Sequence, residues 1–159
     1  MDQLPRSVVR RVRVPVETIG IDHIYIAVSD FGRAERFYDQ LFEILGFRKN
    51  SSTIAGDPHH HYYCRHFGYS IRPAREGLEH DPYSPGLHHF CFRVDSTADV
   101  DRAAHELAQS GIEVSTPRLY PEYAPDYYAV FLADPDGIRL EITNFREQRR
   151  KRMLDWENV

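Results

Sequence analysis

The sequence predicts an α+β fold of two βαβββ modules with curved mixed sheets. The main observation is an internal repeat, because segment 21–28 (IDHIYIAV) is similar to segment 87–94 (LHHFCFRV). Each copy is followed by one stretch with helical periodicity and then by three extended stretches. Two copies of one sequence unit indicate two copies of one supersecondary structure.

The repeat also predicts the organisation of the chain. The predicted segments are an N-terminal extension (1–18), a domain (19–145) made of modules 19–75 and 86–145, and a basic C-terminal helix or tail (146–159).

The first module opens with a strand whose side chains alternate between two faces. Ile24, Ile26 and Val28 form an apolar face, and His23 and Tyr25 lie on the other. A helix capped by an aspartate should follow, because apolar residues recur there at helical spacing. The predicted helix covers 31–45, and the predicted strands cover 46–50, 60–67 and 69–74.

The second module repeats this order. Phe90 and Phe92 lie on the apolar face of its first strand, and His89 and Cys91 on the other. The predicted helix covers 98–110 and is capped by Ser96 or Thr97. The predicted strands cover 112–115, 127–133 and 138–144. The turn 134–137 (DPDG) joins the last two strands into a hairpin. Segment 117–126, rich in proline and tyrosine, predicts an ordered surface loop.

Composition excludes several classes of protein. A hydrophobic fraction of 42% argues against a disordered chain, and no apolar run is long enough to predict a membrane span. The first 20 residues lack the apolar stretch of a secretory signal, and two cysteines are too few for a disulfide framework. We therefore expect a cytoplasmic protein. Net charge is −4 and the basic residues cluster at the ends of the chain, so nucleic acid is not an expected partner.

The final strand contains the most informative polar residue. Glu141 lies between Leu140 and Ile142, and a carboxylate in that position is costly unless it is solvated, paired or bound to a metal. If the two sheets curve around one cup, then His23, His89 and Glu141 all point into it. Two imidazoles and one carboxylate suit a divalent first-row metal, and three protein ligands are typical of catalytic sites. The alternative is that these are chance strand histidines, since the chain has nine.

Three segments resemble the vicinal oxygen chelate superfamily, which includes glyoxalase I, extradiol dioxygenases, methylmalonyl-CoA epimerase, fosfomycin-resistance thiol transferases and bleomycin-binding proteins. They are 21–28, 86–94 and 127–142, the last with its DPDG turn followed by x-x-x-Glu. The resemblance covers about residues 19–145. It implies two modules around a metal cup, with one divalent ion (Fe, Mn, Zn, Ni or Co) bound by His23, His89 and Glu141.

The chain departs from parts of the family pattern. The position of a fourth ligand, which glyoxalase I and the epimerase use, is occupied by Ser70 or Arg72, and neither is a good ligand. Phe131 stands where dioxygenases and thiol transferases often have a tyrosine ten residues before the glutamate. Tyr127 and Tyr128 are near enough in sequence to supply a phenol instead.

Further side chains are candidates for substrate chemistry. His61 or His66 can act as an acid or base, and the catalytic set we predict is Glu141, Tyr128 and His61. Arg72 can bind a carboxylate or phosphate, although a sheet-edge salt bridge is the alternative. The predicted substrate-binding residues are Arg72, Tyr25, Tyr127 and Phe131. Cys91 is expected to be a small buried residue.

The resemblance implies a metal-dependent, glyoxalase-like enzyme that chelates vicinal oxygens of a small substrate and transfers a proton through a metal-stabilised enolate. One alternative is an Fe(II) or Mn(II) extradiol ring-cleaving dioxygenase, and another is a binding protein that sequesters a small ligand. The cup can form within one chain or between chains. We expect a homodimer, because the apolar residues of the tail 146–159 should pack on the body or on a second subunit.

Overall fold

The computed structural model describes residues 16–77 and 80–158. In these ranges the predicted order of strand, helix and three strands occurs twice, which confirms the α+β fold of two modules. The elements are β1 (His23–Val28), α1 (Phe31–Ile44), β2 (Arg48–Ile54), β3 (Asp57–Tyr63), β4 (Gly68–Pro73), β5 (Phe90–Val94), α2 (Thr97–Gln109), β6 (Arg118–Leu119), β7 (Tyr128–Ala133), β8 (Arg139–Asn144), α3 (Glu147–Leu154) and a 3-10 turn (Trp156–Asn158).

Each module forms one four-stranded mixed sheet. The first sheet has the strand order β1-β4-β3-β2, and the second has the order β5-β8-β7-β6. In both, the first strand of the module pairs in parallel with the last, and the last pairs antiparallel with the third. The two sheets therefore have the same topology, as the sequence repeat requires.

Both helices begin at side-chain caps that the sequence predicts. Asp30 accepts the backbone N–H of Arg33 at the start of α1. Ser96 and Asp99 form a reciprocal capping box at the start of α2. Such caps satisfy backbone donors that have no partner within the helix, and each typically stabilises a helix by about 1 kcal/mol.

The two modules pack against each other through their helix-covered faces. Phe42 of α1 and Phe92 of β5 have ring centroids 5.7 Å apart, and Tyr69 of β4 lies 5.8 Å from Phe90. One buried apolar cluster extends through both modules. The opposite face of each sheet carries most of the predicted polar site residues. We call these the open faces: the first carries His23, His61 and Arg72, and the second carries His89 and Glu141.

The DPDG turn attaches the second module to the first. The buried carboxylate of Asp134 accepts a hydrogen bond of 2.8 Å from the hydroxyl of Tyr38 on α1. Asp136 accepts the backbone N–H of Ser29 at 2.7 Å and pairs with Arg33 at 2.9 Å. The turn is therefore part of the interface between modules as well as the link between β7 and β8.

Two strand predictions in the first module are displaced. The strands predicted at 46–50 and 60–67 lie instead at Arg48–Ile54 and Asp57–Tyr63, joined by a tight turn. Ala55 and Gly56 of that turn both have positive φ (52° and 88°), as a two-residue hairpin requires. The reason for the error is that every residue of β2 is exposed, so β2 lacks an apolar alternation.

The strand predicted at 112–115 is wrong. Val114 forms only an isolated bridge with Leu132. The outer strand is Arg118–Leu119, which lies in the segment that we expected to be a loop. It is two residues long and both are exposed, so no periodic pattern could reveal it.

The C-terminal residues form a helix but do not cover the body of their own chain. Met153, Leu154 and Trp156 are 66%, 85% and 66% exposed, so the expectation that they pack on this subunit is wrong. Their packing on a second subunit stays a prediction. Most of the predicted N-terminal extension lies outside the described residues. Among the helices of the described residues, none has the length and apolar character needed to cross a membrane.

Candidate metal centre

Glu141 occupies the middle of the second open face. In the register of the sheet it lies between Cys91 of β5 and Phe131 of β7. The residue is only 2% exposed. A carboxylate that is removed from water in this way needs hydrogen bonds or a cation.

Two groups lie next to the carboxylate of Glu141. The hydroxyl of Tyr127 donates a hydrogen bond of 2.5 Å to Oε1. The Nε2 atom of His89 lies 3.6 Å from Oε2, beyond hydrogen-bond distance. Ligand atoms that are each about 2 Å from one cation can lie up to about 4 Å from each other, so this pair fits a shared divalent ion. His89 and Glu141 together thus form two thirds of the predicted ligand set.

His23 lies elsewhere, on the open face of the first sheet. Its Nδ1 atom is 2.6 Å from the carboxylate of Asp22, an arrangement that orients a metal-binding imidazole in many sites. It lines a cavity of about 680 Å³, whereas His89 and Glu141 line a different cavity of about 1310 Å³. The described residues contain no group of three or more His, Cys, Asp or Glu side chains that could hold a metal.

Within the described residues of one chain the predicted triad is not assembled. The physical reason is that the modules bury their helix-covered faces against each other, which separates the two open faces. The alternation of side chains along each strand predicts the face on which a residue lies, but it does not predict how the two sheets are oriented relative to each other. The sequence left open whether the cup forms within one chain or between chains, and a shared cup of the three side chains stays a prediction.

His61 is the most tightly bonded imidazole of the first open face. Its Nδ1 and Nε2 atoms lie 2.8 Å from the hydroxyl oxygens of Ser70 and Ser52, respectively. Burial, followed by the charges of the neighbouring histidines, lowers its pKa below the ordinary value. His61 is thus neutral at pH 7, with one nitrogen able to accept a proton. Ser70, in the position of the fourth ligand, bonds to His61.

Arg72 forms an ion pair with Asp57 on the same face of the first sheet. Its Nε–H also points to the carbonyl of Pro73 at 3.4 Å. The structure thus has the salt bridge of the alternative interpretation, but on an inner strand and not at a sheet edge. A substrate anion would have to compete with Asp57 for the guanidinium of Arg72.

The two neighbouring tyrosines at the start of β7 point in opposite directions. Tyr128 lies on the helix-covered side with Val130 and Leu132, and its hydroxyl donates to Asp101 of α2 at 2.6 Å. The hydroxyl of Tyr128 thus points away from Glu141, and we leave Tyr128 out of the proposed site. Tyr127 is the phenol that reaches Glu141.

Aromatic rings lie beside His23 on the first open face and beside Glu141 on the second. Tyr25 makes edge contacts with His23, His59 and His61, at centroid distances of 5.5 to 6.1 Å. Phe131 and Tyr127 line the larger cavity beside Glu141, as the sequence predicts.

The sequence analysis missed some residues of this region. Tyr120 and Tyr123 continue the aromatic wall, and Tyr123 contacts Tyr127 at 5.4 Å. The sequence feature that could have identified them is the recurrence of tyrosine at 120, 123 and 127, within and next to a short proline-rich loop. Asp22, next to His23, could have been recognised from its position alone.

Cys91 lies directly beside the carboxylate of Glu141. Burial, followed by the negative charge of Glu141, raises the pKa of its thiol to about 12. Cys91 is a small residue, as expected, but it is only partly buried.

Comparison with known proteins gives the family. A family model described as the Glyoxalase/Bleomycin resistance protein/Dioxygenase superfamily matches residues 20–142. The chain is 31% identical over 127 residues to Uncharacterized protein YqjT of Bacillus subtilis (strain 168), and the match covers 76% of this chain and 94% of the relative.

Solved structures show the same fold. A glyoxylase/bleomycin resistance protein/dioxygenase domain from Frankia sp. EAN1pec has a TM-score of 0.68 at 22% identity, covering 82% of this chain and all of that one. A variant of the fosfomycin resistance protein FosX from Listeria monocytogenes, complexed with Mn(II) and 1S,2S-dihydroxypropylphosphonic acid, has a TM-score of 0.64 at 17% identity. It covers 84% of this chain and 98% of that one. The chain therefore belongs to the Glyoxalase/Bleomycin resistance protein/Dioxygenase superfamily.

Proposed function

We propose that the chain is a divalent-metal enzyme acting on vicinal oxygens of a small substrate, and that two copies share each metal site. His89 and Glu141 of one subunit bind the ion together with His23 of the partner subunit. The observation that carries this proposal is the separation of the ligands. Glu141 and His89 lie on the second open face, whereas His23 lies on the first open face.

Two-fold symmetry completes both sites at once. If the first open face of one copy covers the second open face of the other, the same contact is repeated by the symmetry axis. The pairing would also cover large side chains that are exposed in the single chain, including Ile21, Tyr25, Leu119 and Tyr123. A homodimer is thus the smallest assembly with a complete ligand set.

The donor set fits a first-row divalent ion. Two neutral imidazoles and one carboxylate suit Fe, Mn, Zn, Ni or Co, and three protein ligands leave positions open for a substrate. A bound ion would supply Lewis-acid stabilisation of the negative charge that develops on a chelated substrate oxygen. The Mn(II) in the related FosX structure supports this choice of metal class.

The surrounding residues support proton transfer as the reaction type. His61 is neutral and lies on the same cavity wall as His23, so it can accept a proton from a substrate carbon or hydroxyl. Tyr25 on one wall and Phe131 with Tyr127 on the other would contact the substrate. These roles correspond to a lyase or isomerase of the glyoxalase type.

Metal stoichiometry and oligomeric state test the proposal together. Purified without chelators or a histidine tag, the protein should bind one Mn(II) per chain and sediment as a dimer. His23→Ala and Glu141→Ala should each abolish that binding in the homodimer. A monomer that binds one ion without His23 would contradict the shared site.

Ring-cleaving dioxygenase is the second candidate function. Tyr123, Tyr127 and Phe131 line the cavity beside Glu141, and such a wall suits a planar substrate ring. Anaerobic loading with Fe(II), followed by O₂ uptake in the presence of catechols, distinguishes this activity from proton transfer. If the protein binds ligands in the metal-loaded cup without any product formation, it is a sequestering protein instead.

A further inference from the structure

The hydrogen bond from Tyr127 to Glu141 raises the question of what holds Tyr127 in place. Tyr127 ends the loop between β6 and β7, and its ring lies against Tyr123, which is 62% exposed. Its own backbone makes only short-range contacts on that side, with Ala124 and Tyr120. A loop residue supported in this way needs further contacts to keep its hydroxyl at one carboxylate oxygen.

The end of β8 supplies the first of these contacts. The side-chain amide of Asn144 donates to the carbonyl of Asp126 at 3.1 Å. Its Oδ1 atom accepts the backbone N–H of Tyr128 at 3.0 Å. Asn144 therefore binds the residues on both sides of Tyr127.

The start of α3 supplies the second set. The backbone N–H of Glu147 donates to Oδ2 of Asp126 at 2.8 Å, so Asp126 satisfies a free donor of the helix. The guanidinium of Arg146 lies over the ring of Tyr127, 4.6 Å from its centroid. Segment 144–150 thus holds the residues on both sides of Tyr127 and contacts its ring, while its hydroxyl remains bonded to Glu141.

The helix is itself attached to the second module. Arg150 donates to the carbonyl and to the carboxylate of Asp95, at 2.5 and 2.6 Å, in the turn before α2. The same guanidinium lies over the ring of Phe145 at 4.4 Å. The first turn of α3 is thus bound to the body, although its apolar end is exposed.

We propose that segment 144–150 is a clamp that positions Tyr127 against Glu141 and thereby sets the metal affinity of the site. Tyr127 and Arg146 are positioning residues in this proposal, which rests on the proposed function. Groups that orient a metal ligand commonly change metal affinity by about 10-fold to 100-fold. The clamp gives the basic C-terminal helix a role at the site that does not require its exposed apolar residues.

A double-mutant cycle on Mn(II) affinity tests the clamp. Calorimetric titration of the full-length dimer with Mn(II) is compared with Tyr127→Phe, with a chain ending at Phe145, and with the two changes combined. We expect each single change to weaken Mn(II) binding by about tenfold. The combined variant should bind Mn(II) less than twofold more weakly than Tyr127→Phe alone, because the helix acts on the site through the hydroxyl of Tyr127.

Matched variants separate the clamp from a general effect of truncation. A chain ending at Asp155 keeps the clamp and loses Trp156, so its Mn(II) affinity should be that of wild type when sedimentation shows that it is still a dimer. If the chain ending at Phe145 fails to fold or to dimerise, Arg146→Ala and Asp126→Ala replace it in the cycle. Independent, multiplicative losses in the two backgrounds would overturn the proposal, as would unchanged affinity in either single variant.

A metal-free measurement distinguishes this proposal from the proposed function. Amide hydrogen exchange at 126–128 should be faster in the chain ending at Phe145 than in the chain ending at Asp155, with no metal added. Equal exchange would overturn the clamp. Faster exchange in the chain ending at Phe145, combined with a wild-type protein that binds no Mn(II), would leave the clamp as a positioning element and refute the metal site instead.

Discussion

Replacing Tyr38 by phenylalanine should destabilise the interface between the two modules. The residue is fully buried, and its hydroxyl joins Asp134 at 2.8 Å to the hydroxyl of Tyr69 at 3.0 Å. The substitution keeps the ring and removes the donor to a buried carboxylate. Hydrogen bonds to charged groups contribute about 1.5–3 kcal/mol, and an orphaned buried acceptor carries its desolvation cost.

The expected change in melting temperature depends on the length of the chain. A loss of about 2 kcal/mol lowers the melting temperature of a domain of 150–250 residues by about 4–8 °C. Thermal unfolding followed by circular dichroism at pH 7 measures it. Tyr62→Phe is the matched control, because Tyr62 donates at 2.7 Å to Asp39, whose side chain is 44% exposed. The control should lose less than about 1 kcal/mol, since water can replace its donor.

The pH dependence of stability reports on Asp134 itself. Burial raises the pKa of Asp134 above its ordinary value, and the hydrogen bond from Tyr38 offsets part of this increase. A carboxyl group whose folded pKa is raised stabilises the fold below its unfolded pKa of about 4, and this contribution is lost as pH rises through the folded pKa. Asp134→Asn should remove that pH dependence. Equal melting temperatures for wild type and Tyr38→Phe would refute the reasoning.

Three further predictions concern the site and the assembly. Glu141→Gln should lower metal affinity far more than stability, because the amide keeps the shape and loses the charge; equal metal content in wild type and variant would contradict this. In metal-free protein, the free energy of unfolding should decrease as pH falls below about 6.5, and His61→Gln should make this decrease smaller. The reason is that the pKa of His61 is lower in the folded state, so its contribution to stability is present above the unfolded pKa and is lost as pH falls. Identical pH profiles for wild type and variant would contradict this. The wild-type protein should sediment as a dimer at micromolar concentration, and a single monomeric species, unchanged when 146–159 are deleted, would refute the dimer.

Much of the fold was predictable because local patterns determine it. The repeat of 21–28 at 87–94 identified the two modules, and the caps at Asp30 and Ser96 marked the helix starts. Strand alternation placed His23, His89 and Glu141 on the open faces. The exposed strand β2 and the two-residue β6 were missed, because neither buries an apolar face that would show in the sequence.

The arrangement of the site was less predictable. Which faces of the two modules pack together is decided by long-range contacts such as that of Phe42 with Phe92, which no local pattern encodes. Strand alternation alone favours Tyr127 over Tyr128, because Tyr127 is four residues before Phe131 and Phe131 lies beside Glu141. The contact of Arg146 with the ring of Tyr127 joins residues that are close in space but belong to different elements.

Subunit complementation tests the shared site most directly. A His23→Ala variant and a Glu141→Ala variant are prepared separately, each expected to bind no Mn(II), and are then unfolded and refolded together. A mixed dimer with shared sites contains one intact site, with Glu141 from the first variant and His23 from the second, and one site lacking both residues. We predict that Mn(II) binding returns at one ion per mixed dimer, whereas no recovery on mixing would contradict a site shared between two chains.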